Sequence, residues 1–88
     1  MAYKPEGYTS VAPYLIVPDA TLLLDFVARV FSSEPVLVVR SEHGGIRHAE
    51  FRIDDTIVMC GEASGAPASN VHVYVDDVDA AFARALEA

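Results

Sequence analysis

The sequence predicts an α+β domain with the element order β-α-β-β-β, helices lying on one face of a curved, antiparallel-rich sheet. Three observations carry this. "VAPYLIV" (residues 11–17) is a short β-branched and aromatic run, the composition of a strand. Leu23, Phe26, Val27 and Val30 recur at i, i+3, i+4 and i+7, the apolar stripe of a helix with one buried face. Three further short runs then follow in quick succession, "VLVVR" (36–40), "IRHAEFRI" (46–53) and "TIVMCG" (56–61).

Each element has a local cause. Residues 1–9 form a polar lead-in containing Pro and Gly. Pro13 lacks a backbone N–H, so its strand belongs at a sheet edge or begins there. Pro18 and Asp19 end the strand, and the Asp19 carboxylate suits the N-cap of the helix. Phe31 extends the apolar stripe, and "SSEP" closes the helix because Pro35 disfavours helical geometry at Glu34. "SEHGG" is a loop that exposes His43. In the next run Ala49, Phe51 and Ile53 face one way, and His48, Glu50 and Arg52 the other. A two-residue turn at Asp54-Asp55 pairs Ile53 with Thr56 and Glu50 with Met59. Ile57, Met59 and Gly61 then share the face of His48, while Cys60 points toward the helix as a small core residue.

The tail repeats the beginning. A shift of 58 residues lays "YLIVPDATLLLDFVA" on "HVYVDDVDAAFARAL", placing Val17 on Val75, Asp19 on Asp77, Leu24 on Phe82 and Val27 on Ala85. Asp77 becomes a second N-cap, and Val78, Ala81, Phe82 and Ala85 a second stripe. The expected organisation over residues 1–88 is a first module at 8–62, a linker at 63–69 and the start of a second, truncated module at 70–88.

Composition narrows the function. A chain of 88 residues buries little more than ~60% of its unfolded surface, so its core is thin and a second copy would help it. The 52% hydrophobic content argues against disorder. A net charge of -7 disfavours nucleic acid and anionic membrane as partners. No apolar run approaches the ~20 residues of a membrane span, and the N-terminus lacks the apolar stretch of a signal peptide. Cys60 stands alone, so no intramolecular disulfide forms and the cytoplasm is the expected compartment.

A repeated β-α-β-β-β module with a V-x-D turn into each helix resembles the vicinal oxygen chelate superfamily. That superfamily includes glyoxalase I, extradiol dioxygenases and the fosfomycin- and bleomycin-resistance proteins. "VAPYLIVPDA", "HAEFRIDDTIVM" and "HVYVDDVDAAFARA" look most like its PhnB-like glyoxalase/bleomycin-resistance branch. The resemblance covers residues 7–88 and implies that two modules pair, within a chain or between chains, into a cup that holds the ligand. A complete second module would need three more strands, so the chain is expected to be a fragment, a truncated product or the ordered part of a longer protein.

The resemblance also implies positions for a divalent metal, filled in the family by His, Gln or Glu. Here those positions fall on Ala12, Met59 and Asn70, none a typical ligand, and the fourth lies in the absent strands. No cofactor is therefore expected. His72 lies two residues beyond Asn70 on the same strand face, and its imidazole is the candidate catalytic group or metal ligand. The alternative is an imidazole that is merely hydrogen-bonded. His48, Glu50 and Arg52 form a polar row fit to orient a polar ligand, or an ordinary solvated face. Tyr14 and Tyr74 can stack on a flat ligand. The expected cup is thus Tyr14, His48, Glu50, Arg52, Met59, Asn70, His72 and Tyr74, and the expected buried set is Val11, Leu15, Val17, Phe51, Ile53, Val71, Val73 and Val75.

These readings predict a small-molecule-binding protein of the glyoxalase/bleomycin-resistance type, acting as a homodimer. Two alternatives stay open: a metal-dependent lyase or dioxygenase of the same superfamily, and a non-catalytic structural α+β module.

Overall fold

The computed structural model describes residues 3–88; the first two residues of the lead-in lie outside it. Its elements are β1 (Tyr14–Val17), α1 (Ala20–Phe31), β2 (Pro35–Arg40), β3 (Ile46–Ile53), β4 (Thr56–Glu62) and α2 (Val78–Glu87). The four strands form one sheet in the order β1-β4-β3-β2. β1 runs parallel to β4, and the other two pairings are antiparallel. The parallel pair is possible because α1 and two further strands carry the chain back between them.

The central hairpin follows the alternation. Ile53 stands opposite Thr56 and Glu50 opposite Met59. Asp54 takes a positive φ of 53° at the first turn position, which an Asp tolerates better than a β-branched residue. With that register Ala49, Phe51, Val58 and Cys60 are buried and join Ala20 and Val27 of α1 in one core, with Leu15, Val17 and Ile53 packed against it. Burial pushes the Cys60 thiol pKa up, as expected of a core cysteine.

Both helices are capped as expected. The Asp19 carboxylate accepts from the backbone N–H of Thr21 and Leu22, and the Asp77 carboxylate from that of Ala80. Glu62, at the end of β4, joins two elements: one carboxylate oxygen accepts from Ala20 N–H at 2.8 Å, the other from Ile46 N–H at 2.9 Å.

Three expectations are corrected. β1 starts at Tyr14, and Val11 is 84% exposed instead of buried. Proline has no N–H, so pairing here begins at the Pro13 carbonyl, which accepts from Met59 N–H at 2.9 Å. Second, the tail over residues 70–77 forms no strand. Third, α2 buries Ala81 and half-buries Ala85, but Val78 and Phe82 are exposed, the latter by 64%. The helix packs against α1, where Arg84 Nε donates to the Val30 carbonyl at 2.8 Å.

Candidate functional site

The helix-free face of the sheet carries a chain of hydrogen bonds. The strand alternation that sends Phe51 into the core sends His48, Glu50 and Arg52 to the opposite face. The β1–β4 register sets Tyr14 beside Met59 on the same side. Tyr14 Oη lies 3.0 Å from His48 Nδ1, and His48 Nε2 lies 2.7 Å from Glu50 Oε2. Glu50 Oε1 in turn accepts a short bond from the Tyr8 hydroxyl. Arg52 Nη1 donates to the Gly7 carbonyl at 3.3 Å.

The protonation pattern follows from the partners. An ionised carboxylate only accepts, so Nε2 of His48 carries a proton. In the neutral ring Nδ1 is then the acceptor for the Tyr14 hydroxyl. Glu50 is only 6% exposed. Burial pushes its pKa up, but the hydrogen bonds from His48 and Tyr8, with the charge of His48, outweigh that and hold it below its ordinary value. The Tyr8 phenol is pushed up, first by its hydrogen bond to Glu50 and then by burial and the Glu50 charge, against a smaller opposing effect of Arg52. The arrangement pairs a buried, hydrogen-bonded carboxylate with an imidazole and a half-exposed phenol. Such a chain can orient a polar ligand or pass a proton along it.

Close packing supports it. A methyl group added at Gly61 would stand 3.0 Å from both the Tyr14 hydroxyl and the Arg47 carbonyl, so a side chain there would crowd the Tyr14 ring. Beside Glu50 and Met59 lies an open cleft of about 350 Å³, roofed by the lead-in with Tyr3, Lys4, Pro5 and Tyr8.

The structure thus gathers Tyr14, His48, Glu50, Arg52 and Met59 on one face. It does not bring Asn70, His72 and Tyr74 to them. His72 and Tyr74 line a separate cleft of about 330 Å³ at the β3–β4 turn, with Pro13, Asp54 and Thr56. Their rings meet edge to face at 4.7 Å, Tyr74 is 91% exposed, and Asn70 is exposed and lines neither cleft. Val71 and Val73 line both the cleft of His72 and the apolar groove beside α1, the latter with Leu15 and Phe51. Without strand pairing, nothing sets the tail in line with the sheet face. Of the tail valines expected to be buried, Val71 is exposed and Val73 and Val75 are half-buried. Tyr8, Lys4 and Glu62 were missed by the sequence reading. The Tyr8–Glu50 contact spans 42 residues and carries no local spacing signal.

The divalent metal that the fold family implies does not fit these residues. Ala12 has no donor atom, Met59 offers a soft thioether, and Asn70 lies outside the cleft beside Met59. Both ring nitrogens of His48 are engaged by Tyr14 and Glu50. Among the described residues no group of three or more His, Cys, Asp or Glu side chains is placed to hold a metal.

The arrangement is that of a β-α-β-β-β module of the glyoxalase/bleomycin-resistance type, the vicinal oxygen chelate fold. TioX from Micromonospora sp. ML1 superposes with a TM-score of 0.61 and 26% identity, over 90% of this chain and 69% of TioX. The genomically encoded fosfomycin resistance protein FosX of Listeria monocytogenes superposes with a TM-score of 0.67 over 90% of this chain and 67% of its own; at 14% identity this likeness shows the fold alone. In sequence the chain is 36% identical to an uncharacterised protein of Mycobacterium tuberculosis H37Rv, over 99% of this chain and 64% of the relative. A Mycobacterium bovis protein is also 36% identical, over 90% of this chain and 61% of the relative. The chain thus spans less than two thirds of the length of these curated relatives. No family model matches it.

Proposed function

We propose that the chain is a small-molecule-binding module of the PhnB-like glyoxalase/bleomycin-resistance kind, its ligand resting on the helix-free sheet face. The observation that carries the reading is Glu50: a carboxylate only 6% exposed, held between His48 and Tyr8 at the edge of an open cleft. A buried charge is costly to maintain, and functional sites are where such charges cluster. FosX, which shares the fold, is a fosfomycin resistance protein. The mismatched metal positions favour holding a molecule over metal-assisted turnover of it.

A second copy of the chain is the proposed partner, covering the exposed Val78, Phe82 and Leu86 of α2. No described helix is long and apolar enough to cross a membrane. The proposed compartment is the cytoplasm, in keeping with the single cysteine.

Ligand-observed NMR against a panel of small polar and aromatic compounds tests the reading. Binding should be abolished by Met59→Trp, which fills the cleft, with the melting temperature little changed. Compounds that bind equally to both proteins would place the site elsewhere and remove this reading.

A further inference from the structure

Glu50 receives its two hydrogen bonds from different sources. His48 lies two residues away on the same strand, so its bond to Oε2 belongs to the sheet itself. The bond to Oε1 comes from Tyr8, which is not part of the sheet at all. Residues 3–10 contain no helix or strand, and most of them are exposed. The other side-chain hydrogen bond from this segment to the sheet face is the 3.3 Å contact between Arg52 and the Gly7 carbonyl. Bonds such as Tyr8 N–H to Pro5 carbonyl and Lys4 to Ser10 stay within the segment and survive its displacement. The phenol of Tyr8 therefore rests on a strong, charge-assisted acceptor while being weakly tethered elsewhere.

Given the small-molecule reading above, on which this rests, we infer that the Tyr8 phenol stands where a ligand hydroxyl binds, and that the face accepts a neutral, monocyclic, hydroxyl-bearing aromatic molecule by displacing Tyr8 from Glu50 Oε1. The charge around the cleft selects a neutral donor. An anion would meet the Glu50 carboxylate. A cation would meet Arg52, which stays on β3 when the lead-in moves. A phenol presents one O–H to Glu50 and an apolar ring to Met59. The cleft volume of about 350 Å³ lies at the small end of ligand pockets, which run from ~300 to ~1,000 Å³. Tyr8 then acts as an internal competitor: the apparent affinity falls by the fraction of molecules in which it has moved away.

The probe is p-cresol, the free equivalent of the tyrosine side chain, titrated into the whole chain by NMR. Toluene and 4-methylanisole, which lack the O–H, serve as controls. The wild-type chain should bind p-cresol saturably, with the largest shifts at the amides of Gly7, Tyr8 and Met59, and bind both controls at least several-fold more weakly. Tyr8→Ala should tighten p-cresol about tenfold by removing the competitor. Tyr8→Phe, which keeps the ring and loses the hydroxyl, should tighten it less and serves if Tyr8→Ala does not fold. Glu50→Gln should weaken it. Equal binding of p-cresol and toluene, no binding to the wild-type chain, or no tightening in either Tyr8 variant overturns the inference. Compounds that bind with Tyr8 still seated, yet are lost in Met59→Trp, would overturn it too while leaving the small-molecule reading standing.

Discussion

One oxygen of the Glu62 carboxylate accepts from Ala20 N–H at 2.8 Å, the first backbone donor of α1, and so ties the end of β4 to the start of the helix. Its other oxygen holds Ile46 N–H at the start of β3. These are charge-assisted bonds, the first to a donor that a helix start leaves unpaired, and each such bond contributes ~1.5–3 kcal/mol. Glu62→Ala should therefore destabilise the fold by at least ~1.5 kcal/mol in urea denaturation. Gly45→Ala should also destabilise it, because its added methyl would lie 2.7 Å from Glu62 Oε1. A Glu62→Ala midpoint equal to that of the wild type would show that water replaces the carboxylate without loss.

Phe51 and Arg52 are chain neighbours with opposite environments. Phe51 is 1% exposed in the core, so Phe51→Ala should cost ~3–5 kcal/mol as a cavity-forming deletion. Arg52 is half-buried and makes a long hydrogen bond to the Gly7 carbonyl. Arg52→Ala should cost under about 1 kcal/mol. Equilibrium unfolding of the two variants checks the contrast, and comparable losses would contradict it.

The Glu50 carboxyl is held below its ordinary pKa in the folded chain. A group depressed on folding adds stability that is fully present above its unfolded pKa and lost as pH falls through the folded value. The Tyr8–Glu50–His48 chain should thus weaken below the ordinary glutamate range of ~4.3–4.5. Urea midpoints measured from pH 7 down to pH 3 should fall more steeply for the wild type than for Glu50→Gln. Parallel curves would show that Glu50 gains nothing from its partners.

Ala12, Met59 and Asn70 supply no hard-cation site, and His48 is occupied by Tyr14 and Glu50. After exposure to zinc, nickel, manganese or iron and then dialysis, the purified chain should retain none of them stoichiometrically. Retention that disappears in His72→Ala would assign a metal to the tail histidine instead.

Val78, Phe82 and Leu86 leave α2 with an apolar face on water. Light scattering should show a dimer at micromolar concentration, shifted toward monomer by Phe82→Lys. A wild-type monomer that melts cooperatively under the same conditions would remove the homodimer from the proposal.

Patterns of neighbouring residues account for what could be read in advance. The period-two alternation at 46–53 already separates Phe51 from Glu50, and the two-residue turn at Asp54 and Asp55 aligns Glu50 with Met59. Asp19 and Asp77 announce both helix starts, because capping is settled within three residues. Contacts between distant segments were not legible. Nothing near Tyr8 in the chain points to Glu50, and nothing near Glu62 points to Ala20; each pair is 42 residues apart and meets only when the sheet has formed. The tail shows the same division from the other side. "NVHVYV" has the composition of a strand, yet a strand exists only where a neighbour accepts its hydrogen bonds, and among the described residues the tail pairs with none. His72 and Tyr74 therefore lie off the sheet face, while Tyr14 and His48, set by the β1–β4 and β3–β4 pairings, stand together on it.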